Sequence, residues 1–136
     1  MKKYIYVNYF RDANEDRRKE YLHCVNLNLQ RDFVDHMVVF LENDEHRSDL
    51  PDSEKIQYVN LPRRMEFQDV FDHVQENVEP NSVVVVMNLD IFIENSDQWR
   101  NIGQDFFSVG HHDKAMVLTR HNVVSQGTND IVVEAD

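Results

Sequence analysis

The sequence predicts an α/β fold, a mostly parallel sheet flanked by helices, on three observations. Val83 to Val86 form an unbroken run of valines, which reads as a strand covered on both faces, the habit of parallel sheets. Phe67, Val70, Phe71, Val74 and Val78 fall at i, i+3, i+4, i+7 and i+11, one apolar stripe of a helix. Strand-like and helix-like segments alternate along the chain, the pattern of βαβ units.

In chain order, Tyr4-Ile5-Tyr6-Val7 is the first strand, β-branched and aromatic between polar flanks. Tyr4 and Tyr6 share one side of it and read as core. Asp12 and Glu15 resemble a capping box, and a helix over about 14–30 follows, with Tyr21, Leu22, Val25 and Leu29 on one side. His36 to Leu41 is a second strand with little polar alternation. Asn43 to Ser53, charged and containing Pro51, reads as a loop, and Lys55 to Asn60 as a short third strand. The helix of the apolar stripe spans 67–78. Pro80-Asn81 punctuates the chain before the strand Ser82 to Met87. A short helix over about 96–102, capped by Ser96 or Asn95, comes next. Lys114 to Thr119 and Ile131 to Val133 read as two further strands. No internal repeat is evident.

With 136 residues the chain predicts one domain, 1–136, large enough to bury roughly two-thirds of the surface its unfolded form exposes. Asp and Glu outnumber Lys and Arg 25 to 14, for a formal charge of −11. That sign opposes binding to a phosphate backbone, so direct nucleic-acid binding is not expected. Acidity suits a chain that recruits divalent cations or a basic partner, and it also serves solubility. Cys24 is the only cysteine, which excludes an internal disulfide and a multi-cysteine zinc site. Its apolar neighbours mark it as a small buried thiol on a helix. The start MKKYIYVNYF lacks the long apolar region of a signal peptide, and no stretch approaches 18 apolar residues. The expectation is a cytoplasmic protein with no membrane partner.

Within VVVVMNLDIFI, residues 83–93, an amide and a carboxylate interrupt the apolar run. In open α/β sheets ligands bind at the carboxyl ends of the strands. The valine strand reads as the most central one, so Asn88-Leu89-Asp90 falls at such an end. Asp90 suits a hard divalent cation, Mg²⁺ or Mn²⁺, shared with the phosphates of a nucleotide. The alternative is that Asp90 caps a turn and Asn88 bonds local backbone. His111, His112, Asp113 and His121 invite a zinc reading, but adjacent residues of an extended segment point to opposite sides, and loop histidines facing solvent are favoured. Glycines occur only at 103, 110 and 127, so no phosphate-cradling loop exists, and no serine has a nucleophile-elbow context. Tyr9 or Phe10, just past the first strand, is placed to stack on a base, with core packing the favoured alternative.

Five ordered segments carry a resemblance: V-N-Y-F-R-D-x-N-E-x-R from Val7, N-L-N-L-Q from Asn26, R-M-E-F-Q-D-V-F from Arg64, M-N-L-D-I-F-I from Met87 and L-T-R-H from Leu118. Over roughly residues 3–121 they resemble a family of small GT-A-type glycosyltransferase-like proteins, whose donor-binding half is Rossmann-like. The resemblance implies a nucleotide-diphospho-sugar donor, an Mn²⁺ or Mg²⁺ ion on Asp90, and Asn88 as its companion near the sugar or ribose. It places the loop Asn8, Tyr9, Phe10 and Arg11 against the nucleotide. It also gives Arg64 and Arg120 reach to the donor diphosphate, a surface ion pair being the other reading of each.

Two departures qualify it. Asn88 stands where the usual metal motif has its first acid, leaving one carboxylate. Only sixteen residues follow Arg120, whereas such enzymes need a further segment for the acceptor. Asp130 is the candidate catalytic base. The chain is then a minimal enzyme, a truncated form or a donor-binding remnant. A non-catalytic acidic interaction protein on the same scaffold is the rival from another class.

Overall fold

A computed structural model describes residues 1–103, 121–125 and 132–135. Four parallel strands form its sheet: β1 (Lys3–Tyr9), β2 (His36–Leu41), β3 (Ile56–Asn60) and β4 (Val83–Val86), in the order β3-β2-β1-β4. Helix α1 (Glu15–Gln30) joins β1 to β2, and α2 (Phe67–Asn77) joins β3 to β4. The short α3 (Asp97–Arg100) follows, with the Ser96 hydroxyl accepting from the Trp99 amide at 3.3 Å, as the sequence predicts. An α/β fold with helices flanking a parallel sheet is what the chain adopts.

Side-chain alternation along the strands builds a core on each face. Ile5, Val7 and Tyr9 of β1 and Met37, Val39 and Leu41 of β2 pack with Tyr21 and Val25 of α1. Tyr4 and Tyr6, with Val38 and Phe40, pack on the opposite face against Val70 of α2. Tyr4 and Tyr6 are core on one side, as read from the sequence.

Among the described residues the valine strand, β4, has a neighbour on one side, β1. Val83 is buried, Val84 and Val85 half-buried, and Val86 exposed. The covered strands are β1 and β2, each with a neighbour on both sides, and β2 is buried from Met37 to Leu41.

Helix α2 departs from its stripe as well. Val70 is buried and Val74 and Val78 are half-buried, but Phe67 is 68% and Phe71 60% exposed. Their rings stack on each other with centroids 6.4 Å apart. His73 takes a docking position instead: its Nδ1 lies 2.7 Å from the Tyr6 hydroxyl, and its ring meets Phe40 edge-on.

Local signals also shift. The N-cap of α1 is Asn14, whose side chain accepts from Asp16 and Arg17 amides, while Asp12 accepts from the Asn14 amide. On α1 the buried face is Tyr21, Cys24, Val25 and Asn28, with Leu22 exposed and Leu29 half-buried. The expected loop at 43–53 contains a 3₁₀ helix, Asp44–Asp49, started by Asn43 accepting from the Glu45 amide. Strands β5 (His121–Ser125) and β6 (Val132–Ala135) form an antiparallel pair. The predicted strand at 114–119 lies outside the described residues.

Candidate functional site

The strand order makes the site. From β1 the chain steps to β2 and β3 on one side, then returns to place β4 on the other side of β1. A reversal of this kind is where open α/β sheets bind ligands, beyond the carboxyl ends of the diverging strands. The β1–β4 ladder stops at Tyr6 and Val86, and the Met87 amide makes a last bond to the Tyr6 carbonyl at 3.1 Å. The β1–β2 ladder runs on to Tyr9 and Leu41. The gap left beside the longer ladder is a cleft of about 590 Å³.

Five of the residues singled out from sequence line this cleft: Asn8, Phe10, Arg64, Asn88 and Asp90. Residues 8–11 follow one strand, residues 87–90 the other, and Arg64 stands just before α2. The Asn8 amide braces the floor. It donates to Glu42 at 3.0 Å, and its oxygen accepts from the Met65 backbone amide at 2.9 Å. Phe10 packs edge-on against Tyr21 with centroids 5.9 Å apart, and stays 38% exposed.

The loop bearing Asn88 and Asp90 is held from beneath. Asn28, a buried polar side chain of α1, donates to the Ile91 carbonyl at 3.1 Å and accepts from the Ile93 amide at 2.8 Å. Arg31 Nε donates to the Ile93 carbonyl at 2.7 Å. Leu89 and Ile93 sink into the α1-side core, while the Ile91 amide closes a turn onto the Asn88 carbonyl. Alternate residues of the loop thereby face the core and the cleft. Asp90 is half-buried at the cleft wall, where Arg17 Nη2 stands 3.7 Å from its Oδ2. Asn88 is exposed.

Tyr9 and Arg11 are not part of this cleft. Tyr9 is buried and its hydroxyl donates to Asp49 at 2.7 Å. Arg11 grips the same carboxylate through Nε at 2.7 Å and Nη2 at 2.6 Å. Those bonds hold the Asp49 carboxyl below its usual range, and burial pushes the Tyr9 phenol up. Tyr9 lines a separate hollow of about 220 Å³ with Arg18, Lys19 and Leu50. Arg120 and Asp130 lie outside the described residues, as do His111, His112 and Asp113.

The donor set at the loop is one carboxylate and one amide, Asp90 and Asn88. Among the described residues no three His, Cys, Asp or Glu side chains gather into a metal-binding group. Such a pair fits a hard cation that takes its remaining oxygens from a phosphorylated ligand and water, the habit of Mg²⁺. It does not fit an all-protein cage. Cys24 is buried and its thiol is pushed up to about 11 by that burial, so it stays protonated at neutral pH and serves packing.

Among the cleft residues that escaped the sequence reading are Arg17 and Tyr21 of α1, and Phe67 of α2 in its exposed position. Arg17 and Tyr21 are four apart on a helix, a spacing that brings them together, but it does not reveal that they face a strand end. Among the described residues no helix is long and apolar enough to cross a membrane. Compared with protein-family models, curated proteins and solved structures, the chain matches none.

Proposed function

We propose that the cleft binds a nucleotide-diphospho-sugar together with a hard divalent cation, Mn²⁺ or Mg²⁺, and that the chain is glycosyltransferase-like. One observation carries this reading: Asp90, Asn88 and Arg64 line a single cleft at the point where the strand order reverses. Asp90 and Asn88 would hold the cation, which supplies neutralisation of diphosphate charge when bound. The planar fork of Arg64 suits phosphate oxygens, and Phe10 offers an aromatic face to a base. Transfer breaks the bond from the anomeric carbon to the diphosphate and makes one to an acceptor oxygen, whose proton passes to a base. Asp130 is the candidate for that base.

The test is a melting-temperature titration with UDP and GDP, with and without Mn²⁺. A ligand that binds only the folded state at a hundred times its Kd stabilises it by about 2.7 kcal/mol. A shift in the wild type that Asp90→Ala abolishes supports the reading, and no shift with either nucleotide overturns it.

The rival is a non-catalytic interaction protein, favoured by the −11 charge. Its signature is salt-sensitive capture of a basic protein that Asp90→Ala leaves unchanged.

A further inference from the structure

We propose that Arg17 is a second anion-gripping residue of the cleft, acting with Arg64 on the phosphates of a nucleoside diphosphate. The inference rests on the nucleotide-binding reading and adds to it a residue from a different element, helix α1.

The guanidinium of Arg17 is held before any ligand arrives. Its central carbon stands 5.1 Å from the centre of the Tyr21 ring, and Nη2 donates to the Tyr21 hydroxyl at 3.3 Å. The same nitrogen lies 3.7 Å from Asp90, and Nη1 donates to Glu20 at 2.9 Å. The Tyr21 hydroxyl is itself 3.4 Å from Asp12. A long side chain fixed in this way loses little rotamer freedom on binding, which is the usual cost of recruiting an arginine. A guanidinium carries five N–H donors, more than these partners use. With 44% of the side chain exposed, the remainder stays open to a ligand in the cleft that Arg17 lines.

Charge accounting points the same way. Arg11, Arg47, Arg63 and Arg100 each pair with an aspartate at 3.0 Å or less. Among the described residues Arg64 makes no ion pair, and it lines the same cleft as Arg17. On a chain of charge −11, two guanidinia line one strand-end cleft, and each offsets a carboxylate there. Their geometry suits charge-assisted bonds to phosphate oxygens. Asp90 and Glu66 line the cleft too, so the pocket without ligand is close to balanced. That arrangement disfavours a bare anion and favours one that brings its own cation. Phe67 and Phe10, both exposed at the cleft, add flat apolar surface beside the two arginines, which suits a planar base over a simple phosphate.

The experiment is calorimetric titration of UDP and GDP, each with Mn²⁺ and with a chelator, into the wild type, Arg17→Gln, Arg17→Lys, Arg64→Gln and Arg63→Gln. Arg17→Gln and Arg64→Gln should each weaken binding roughly tenfold to a hundredfold, the scale of a lost charged hydrogen bond. Arg17→Lys should fall between, since it keeps the charge and loses the fork. Arg63→Gln, whose arginine is occupied by Asp69, should bind as the wild type does. If Arg17→Gln fails to fold by its melting curve, Arg17→Lys carries the comparison. Wild-type binding with an unchanged Kd in both folded Arg17 variants overturns the role of Arg17 alone. A wild type that takes neither nucleotide overturns the nucleotide reading and this inference together.

Discussion

Asn28 and Ile93 hold each other across the core: the Asn28 side-chain oxygen accepts the Ile93 amide at 2.8 Å, 65 residues away in sequence. The Asn28 amide group meanwhile donates to the Ile91 carbonyl. One buried side chain thus stands in for the strand partner that the loop after β4 lacks. Removing it leaves a buried amide and a carbonyl unpaired, at about 1–3 kcal/mol. Asn28→Leu should therefore lower the urea midpoint and also reduce the effect of nucleotide on melting, because the loop carrying Asp90 is released. An Asn28→Leu protein with wild-type stability would show that the amide serves no anchoring purpose.

His73 and Tyr6 set a pH dependence. Burial lowers the His73 pKa from its ordinary 6.5, so the folded state holds this ring neutral where the unfolded chain would protonate it. Below about 6.5 the unfolded chain takes up more protons at this site, and stability falls with falling pH through that window. Above it both states are neutral and the contribution is flat. Denaturation midpoints of His73→Gln, compared with wild type across this range, should show a shallower slope. An identical slope would remove His73 from the account.

A second pH effect lies lower. Asp69 is drawn down to about 2 by the Arg63 guanidinium, at 2.8 Å to both oxygens, and by the Glu66 amide. Its stabilisation is present above the ordinary carboxyl value of 3.8 and is lost as pH falls toward 2. Asp69 also occupies the first turn of α2, where it satisfies a free amide. The gap in urea midpoint between wild type and Asp69→Asn, followed by circular dichroism, should be present at about pH 5 and close as pH falls toward 2. A gap that stays constant with pH would assign the loss to other carboxylates.

The two sides of α2 should respond oppositely to truncation. Val70 is buried to 1% exposure, so Val70→Ala leaves a cavity and costs about 1–3 kcal/mol. Phe71 is 60% exposed and packs mainly on Phe67, so Phe71→Ser should change stability by no more than about 0.5 kcal/mol. Equal costs at both positions in urea titrations would place Phe71 in the core.

Local patterns were legible in the chain because they depend on local forces. Strand identity from Tyr4 to Val7 and His36 to Leu41, the helix at 67–77 and the Ser96 cap all follow from side-chain chemistry and period. Position was less legible. Four valines do not say which strand they pair with, and only the return of the chain past β1 sets β4 beside it. The α2 stripe marks an apolar face, yet the sheet supplies partners for Val70 and His73 and stops short of Phe67 and Phe71. At the site, Asp90 was found because a charge in an apolar run is conspicuous. Asn28 sat unremarked among the polar residues of α1, and Arg17 among its many charges. Their roles come from partners more than 60 residues away, which periodicity cannot see.

The unequal length of two ladders has a consequence for how this pocket can change. β1 keeps pairing with β2 for three residues after it has parted from β4, at Tyr9 against Tyr6. At roughly 3.3 Å per residue this is a step about 10 Å deep. Pocket depth is therefore written in backbone pairing and not in the bulk of wall residues. Adding one rung at Met87 would make the hollow shallower whatever side chains surround it. Shedding a rung at Val86 would deepen it without touching Asp90, so the capacity of the hollow and the chemistry of its wall can be tuned independently.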